Sequence, residues 1–295
     1  MTKNNITIKI KNIKLFGFSG LSFYDLYVFL KSSLKNNNYS FKSSAIAFDF
    51  FMAVFPAIIF LITLLPVIPI PNFQEILLDE IRLITPSNAY DLFEITLNNL
   101  VNNKYYGLLS IGLILVIYYS SNALNTLIDV LNDSHLIKKE YKTIKQRLLA
   151  ISLFLKFSFL IILSVVVNFG VNRITNYVIP SEDNYLITFL VLIVKWLMII
   201  YFLILAISII FRYAQSDDLK VKFINAGTLS TVMVIIISSI SVSYFFNNFS
   251  NYNKVYGSIG GLLITLIWIR ICCFITVVGF DLYMKVGLKE KNNKI

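Results

Sequence analysis

Six stretches of about 20 residues carry apolar side chains with few interruptions: 44–66, 107–128, 148–171, 186–211, 223–247 and 257–280. An α-helix needs about 20 apolar residues, at ~1.5 Å each, to cross the hydrocarbon of a bilayer. The pattern predicts an all-α, polytopic membrane bundle of six transmembrane helices. Two further segments have helical spacing but shorter apolar faces. Residues 21–35, LSFYDLYVFLKSSLK, place Phe23, Leu26, Tyr27, Leu30 and Leu34 at helical spacing, with Lys31 and Lys35 nearby. That suits an N-terminal helix lying in the membrane interface. Pro66, Pro69 and Pro71 end the first span; the chain then reads FQEILLDEIRLI, a break at TPSN, and YDLFEITLNNLV. Residues 67–106 are therefore expected to form an extracytoplasmic helical hairpin between helices 1 and 2. No internal repeat or long low-complexity tract interrupts this plan. It divides into a tail with its interfacial helix (1–43), a six-span membrane domain (44–285) and a second tail (286–295).

Composition agrees with lipid as the solvent. Hydrophobic residues make up 57% of the 295 and charged residues only 14%, and mean hydropathy is +0.74. A soluble domain carries roughly 25% charge. Of the 26 Lys and Arg, 19 fall in the first 43 residues, in the 129–147 and 212–222 connections and in the final tail. Four (Arg82, Lys104, Arg173 and Lys254) fall on the opposite side. The positive-inside rule then places both termini in the cytoplasm of a multi-pass inner-membrane protein. This asymmetry also accounts for much of the net charge of +10 without a nucleic-acid partner. The 67–106 segment carries five acids (Glu75, Asp79, Glu80, Asp91 and Glu94). It reads either as a cap over the helix ends or as a lid or docking surface for an envelope protein. The adjacent Cys272 and Cys273 sit in an apolar run and suit small packing residues. The opening MTKNNITIKIKNIK lacks the apolar core and cleavage site of a signal peptide.

Charges inside the spans are costly, at least ~2.5–3.5 kcal/mol each at mid-bilayer, so their placement bears on function. Asp49, Lys156, Lys195 and Arg270 lie within apolar runs. At the helical rise, Asp49 is about 8 Å, Lys156 about 12 Å and Arg270 about 15 Å from the cytoplasmic face, with Lys195 in the outer half. The two lysines either snorkel to headgroups or face the interior. Asp49 is too short and Arg270 too deep to escape easily, so both are expected inside the bundle, Asp49 as a counter-charge to Arg270 or Lys156. Ser121, Asn125 and Asp129 recur on one face of span two, beside Asn122 and Thr126. Span five repeats the theme with Gly227, Thr231, Ser238 and Ser241. Gly257 and Gly261 of span six have the spacing that lets helices approach closely. These faces either pack helices or line a hydrophilic cavity. Three bases against one acid would make such a cavity favour an anion.

Three stretches carry a family resemblance. AIAFDFFMAVFPAIIF, YGLLSIGLILVIYYSSNALNTLIDVLN and YGSIGGLLITLIWIRICCFITVVGFDLY, in this order and spacing, resemble the YihY/BrkB family of bacterial inner-membrane proteins over roughly 40–285. Pro56, Tyr256, Gly257, Gly260, Gly261, Trp268 and Asp281 match its pattern, and the closing motif is the most specific. The sequence departs from the pattern at Asp49 and Arg270, where neutral or aromatic residues are expected. Their joint presence reads as a compensating pair. The resemblance implies six spans, a part in envelope integrity and a suspected transport role that extends to lipids. It also brings a ribonuclease label given to some members.

Chemistry does not favour that label. A metal-dependent nuclease needs clustered His and acidic ligands, and the chain has one histidine, His135, in a loop. No phosphate-binding glycine loop, zinc-protease motif or serine nucleophile elbow is present. No catalytic residue, metal or cofactor is expected, and a primary ATP-driven pump is excluded for this chain alone. Two functions remain. One is a transporter or translocator of lipid or another anionic small molecule, using Asp49, Ser121, Asn125, Asp129, Lys156, Lys195 and Arg270. The other is a non-transporting scaffold for envelope assembly. Membrane lipids are partners in both, and the sequence does not set the oligomeric state.

Overall fold

A computed structural model of the chain describes residues 22–35, 37–64, 106–133, 143–178, 185–215, 221–248 and 250–292. Every described element is an α-helix: α1 Phe23–Lys35, α2 Asn37–Leu64, α3 Tyr106–Asn132, α4 Thr143–Val178, α5 Tyr185–Ala214, α6 Ala226–Asn248 and α7 Ser250–Asn292. Among the described residues, four stretches are long and apolar enough to cross a membrane: Ser110–Asn132, Phe189–Ala214, Ala226–Phe245 and Leu262–Lys289. These coincide with the second, fourth, fifth and sixth expected spans. Helices α2 and α4 occupy the places of the first and third. The 67–105 part of the expected hairpin, His135 and residues 1–21 lie outside the described residues. So do the surroundings of Tyr256, Gly257, Gly260 and Gly261 within α7.

The helices run past the apolar runs that predicted them. Helix α7 has 43 residues, about 65 Å at the helical rise, twice the ~30 Å hydrocarbon thickness. Its polar ends continue the helix because intrahelical hydrogen bonding does not stop where hydrophobicity does. Helix α2 likewise begins at Asn37, ahead of the expected 44. Pro56 is buried within it and removes the backbone hydrogen bond to the Met52 carbonyl.

The chain divides into two compact units, residues 49–123 and the remainder. In the 49–123 unit, Phe51 and Phe55 meet edge to face at 5.2 Å, and Ser121 is buried. In the larger unit the core gathers where the first turns of α2 and α4 meet the ends of α3, α5 and α7, here called the basic end after the Lys- and Arg-rich stretches that the sequence assigns to that side. Phe211 of α5 packs with Phe280 and Tyr283 of α7 at 5.4 and 5.2 Å between ring centroids. Helix α1 docks on the same end through Leu26 and Phe29, against Leu282 and Val286. Ser22 and Asp25 cap it reciprocally, each backbone N–H donating to the other's side chain at 3.0 and 3.2 Å, the capping-box arrangement. That hydrogen bond holds the Asp25 carboxyl below its usual range. Tyr27, Val28 and Leu30 stay exposed. The apolar stripe read from the sequence is thus split between α7 and the outside.

Candidate functional site

Helices α6 and α7 interlock at the basic end through residues too small to hold them apart. They run antiparallel, pairing Gly227 with Tyr283, Thr231 with Gly279 and Ser239 with Trp268. A Cβ on Gly227 would fall 2.4 Å from the Tyr283 Cα, and one on Gly279 would fall 2.1 Å from Thr231 Oγ1. Gly287 is equally close to Val221. The approach permits a polar lock. Asn225 caps α6, accepting from the Thr228 N–H at 3.2 Å, while its Nδ2 donates to the Tyr283 carbonyl at 3.1 Å. The Tyr283 hydroxyl faces two acceptors, Gln215 Oε1 at 3.2 Å and the Lys222 carbonyl at 3.1 Å. Arg212 donates to the Val221 carbonyl at 3.2 Å. Together these bonds tie the last turn of α5 and the residues just before α6 to each other and to α7.

The first turns of α2 join this end through three polar contacts. The Tyr39 hydroxyl donates to Asp281 Oδ2. Ser40 Oγ accepts from the Arg270 guanidinium at 2.9 Å. Lys42 pairs with Asp133 at 2.8 Å and donates to its carbonyl at 3.1 Å. Asp281 is only 4% exposed, so the tyrosine proton meets a carboxylate largely withdrawn from water. Burial, and then the neighbouring Asp281, push the Tyr39 hydroxyl well above its usual range.

Two of the three cations expected inside the spans, Lys156 and Arg270, reach the same end. Lys156 of α4 donates to the Tyr213 hydroxyl, one residue before the end of α5, and lies 4.3 Å above that ring. A helical side chain leans toward the N-terminus of its helix, which for α4 is the basic end. Arg270 of α7 also reaches the basic end, at Ser40, but against the lean of its helix, whose N-terminus lies at the opposite end. Among the described residues the hydrogen-bond partners of both cations are neutral hydroxyls, and the ion pair of the basic end is Lys42 with Asp133. Lys195 is half-buried on α5, and Asp49 is half-buried in the 49–123 unit. The face of span two is divided. Ser121 donates to its own helix at the Tyr118 carbonyl, 2.9 Å away. Asp129 accepts from Asn125 at 3.4 Å and from Gln146 of α4. The hydroxyls of Thr231, Ser238 and Ser241 donate to backbone carbonyls of α6.

Of the motif residues, Trp268 donates through Nε1 to Ser239 Oγ at 3.0 Å, and Asp281 receives Tyr39. Sequence reading missed Tyr39, Ser40, Gln146, Asn225, Gln215 and Tyr283. A signal did exist for one set: Gly279, Tyr283 and Gly287 recur every four residues on one face of α7. Nothing local marked Tyr39 as the partner of a residue 242 positions away. Among the described residues, no group of three or more His, Cys, Asp or Glu could hold a metal ion.

The family model described as virulence factor BrkB matches residues 30–294. A protein of Bacillus subtilis (strain 168) named ribonuclease-like protein YfkH is 27% identical over 253 residues, covering 85% of this chain and 90% of that one. No solved structure matches the chain. The family match and the long apolar helices point to a membrane protein.

Proposed function

This chain belongs to the virulence factor BrkB family, and on that premise we propose that it is a six-span protein of the bacterial inner membrane that moves a lipid or another anionic small molecule and so contributes to envelope integrity. In this reading α2 to α7 are the six crossings and the basic end faces the cytoplasm, as the bias of Lys and Arg requires. The observation that carries the anionic part is the solvation of the deep cations. Lys156 and Arg270 stand on apolar helices with only neutral hydroxyls as hydrogen-bond partners among the described residues. Their charge is left for a mobile anion to balance, which is how intramembrane ionisable groups commonly mark a path. Asp49, Ser121, Asn125, Asp129 and Lys195 complete the proposed route.

A nuclease role has no support in the residues described, and the name of the Bacillus protein is a statement about that protein. A scaffold reading draws on a separate observation, the close interlock of Gly227, Gly279 and Gly287 at the basic end, which suits a rigid frame. Reconstitution decides between the two. The translocation reading predicts movement of a labelled anionic lipid or solute in proteoliposomes by wild type, reduced in Asp49→Asn and in Arg270→Met. Wild-type flux equal to protein-free vesicles across both substrate classes would leave the scaffold.

A further inference from the structure

Leu148, Ile151, Ser152, Leu155, Lys156 and Phe159 share one face of α4, each three or four residues from others of the set. Such a stripe is ordinarily buried against another element. Here Leu148 is 62%, Leu155 59% and Phe159 65% exposed. The stripe forms one wall of an open groove of about 570 Å³, with Ile209 of α5 contributing from the other side. That volume lies in the range of sites for small molecules. Among the described residues, Ser152 and Lys156 are the polar side chains lining it.

We propose that this groove holds one anionic phospholipid of the cytoplasmic leaflet, an acyl chain lying along α4 and the phosphate seated on Lys156 and Tyr213. The chain is placed by the walls: between membrane-crossing helices, an apolar groove open at the side is filled by hydrocarbon rather than water. The charge is placed by Lys156, whose ammonium is exposed at the rim and meets only the Tyr213 hydroxyl and ring among the described residues. Because that hydroxyl accepts from the ammonium, its own proton remains to be donated. The ammonium keeps further N–H groups, so both side chains direct donors at one anion. Tyr213 lies in the last turn of α5 beside Arg212, which sets the phosphate at headgroup depth and the chain below it. A zwitterionic headgroup brings its own cation toward Lys156 and gains less. This site rests on α4 and α5 crossing the membrane, as in the reading above, but it needs no transport.

The test uses the full chain with Trp196 and Trp268 replaced by phenylalanine and a single reporter, Phe159→Trp, with Leu155→Trp as the second. Each is reconstituted in nanodiscs of phosphatidylcholine in which brominated phosphatidylglycerol or brominated phosphatidylcholine is varied. The relative affinity read from quenching is expected to favour phosphatidylglycerol about fivefold, the worth of one interfacial cation–anion contact. That preference disappears in Lys156→Gln, survives in Lys156→Arg and falls in Tyr213→Phe, while quenching by both lipids persists. Equal quenching by the two lipids in the parent overturns the anionic site. Absence of quenching by either, with Leu155→Cys crosslinking to a second copy, overturns the lipid in favour of a dimer. Selective binding without flux in proteoliposomes keeps this site and removes the translocation reading alone.

Discussion

Gly227→Ala is the sharpest perturbation of the basic end, because what a methyl group would strike is backbone. Its Cβ would lie 2.4 Å from the Tyr283 Cα and 2.6 Å from the Tyr283 N, whereas ordinary contact begins at 3.4 Å. No rotamer change relieves a backbone clash, so α6 must retreat from α7 by about 1 Å. The Asn225–Tyr283 carbonyl bond, 3.1 Å now, then opens to about 4 Å and is lost. Overpacking costs about 1–3 kcal/mol and a buried hydrogen bond about 1 kcal/mol, for a total near 2–4 kcal/mol. Unfolding in mixed micelles titrated with dodecyl sulfate, followed by tryptophan fluorescence, measures it.

Two companion variants separate the clash from the general effect of alanine. Gly107→Ala has nothing within 4 Å of its added carbon and is expected to be neutral or slightly stabilising through helix propensity. Gly279→Ala strikes Thr231 Oγ1 and Cγ2 at 2.1 and 2.7 Å. Adding Thr231→Ala removes both atoms, leaves Cβ at 2.9 Å, and restores part of the loss. A Gly227→Ala protein within about 0.5 kcal/mol of wild type, the range of an ordinary surface change, would refute the claimed helix approach.

The remaining contacts give graded expectations. Tyr39→Phe removes the donor to buried Asp281 and is expected to cost about 1.5–3 kcal/mol, the value of a hydrogen bond to a charged group, with Asp281→Asn recovering part of it in the same unfolding assay. Folding raises the Tyr39 pKa, so its contribution is complete below the unfolded value near 10 and declines as pH rises above it. In a pH series the wild type loses stability there, and Tyr39→Phe loses less. Lys42→Ala breaks a pair whose Asp133 side is 72% exposed and is expected to change stability by less than about 1 kcal/mol, with a larger loss in a double-mutant cycle speaking against that estimate. Ser22→Ala removes half of the capping box, and the amides of the first turn of α1 are expected to exchange hydrogen several-fold faster, at a cost of about 1 kcal/mol. Asp25, with its pKa lowered by Ser22, supports α1 above pH 4 and loses that role as pH falls further.

Fold class was legible because hydrophobicity in membrane helices is a local property. Each of α2 to α7 covers one of the six apolar runs, and four of these helices contain stretches able to cross a membrane. Helix ends were not legible, since Asn37 to Ser43 and Asp281 to Asn292 are too polar to read as span yet continue the helices. Close packing was anticipated at Gly257 and Gly261; among the described side chains it is seen at Gly227, Gly279 and Gly287. Gly227 was singled out in the sequence with the polar face of span five, and what it met there, the Tyr283 backbone, was a tertiary fact. Lysine snorkelling to headgroups was one of two expectations for Lys156; the contact found for its ammonium, with the Tyr213 hydroxyl and ring, could not be read from the sequence. The hydroxyl partners Tyr39, Ser40 and Tyr213 carried no signal of their own, because a lone Ser or Tyr at a helix end fits many roles.

Six crossings with the basic end in the cytoplasm dictate the side on which each connection can be labelled. Single cysteines placed on a Cys272→Ser, Cys273→Ser background at positions 14, 87, 136, 181, 217, 252 and 291 are to be labelled in intact cells by a maleimide that does not cross membranes. Positions 87, 181 and 252 are expected to react from outside, and 14, 136, 217 and 291 only after the membrane is opened. Labelling of 14 or 291 from outside, or protection of 87 in cells and its exposure on opening, would contradict a six-span protein with its basic end in the cytoplasm.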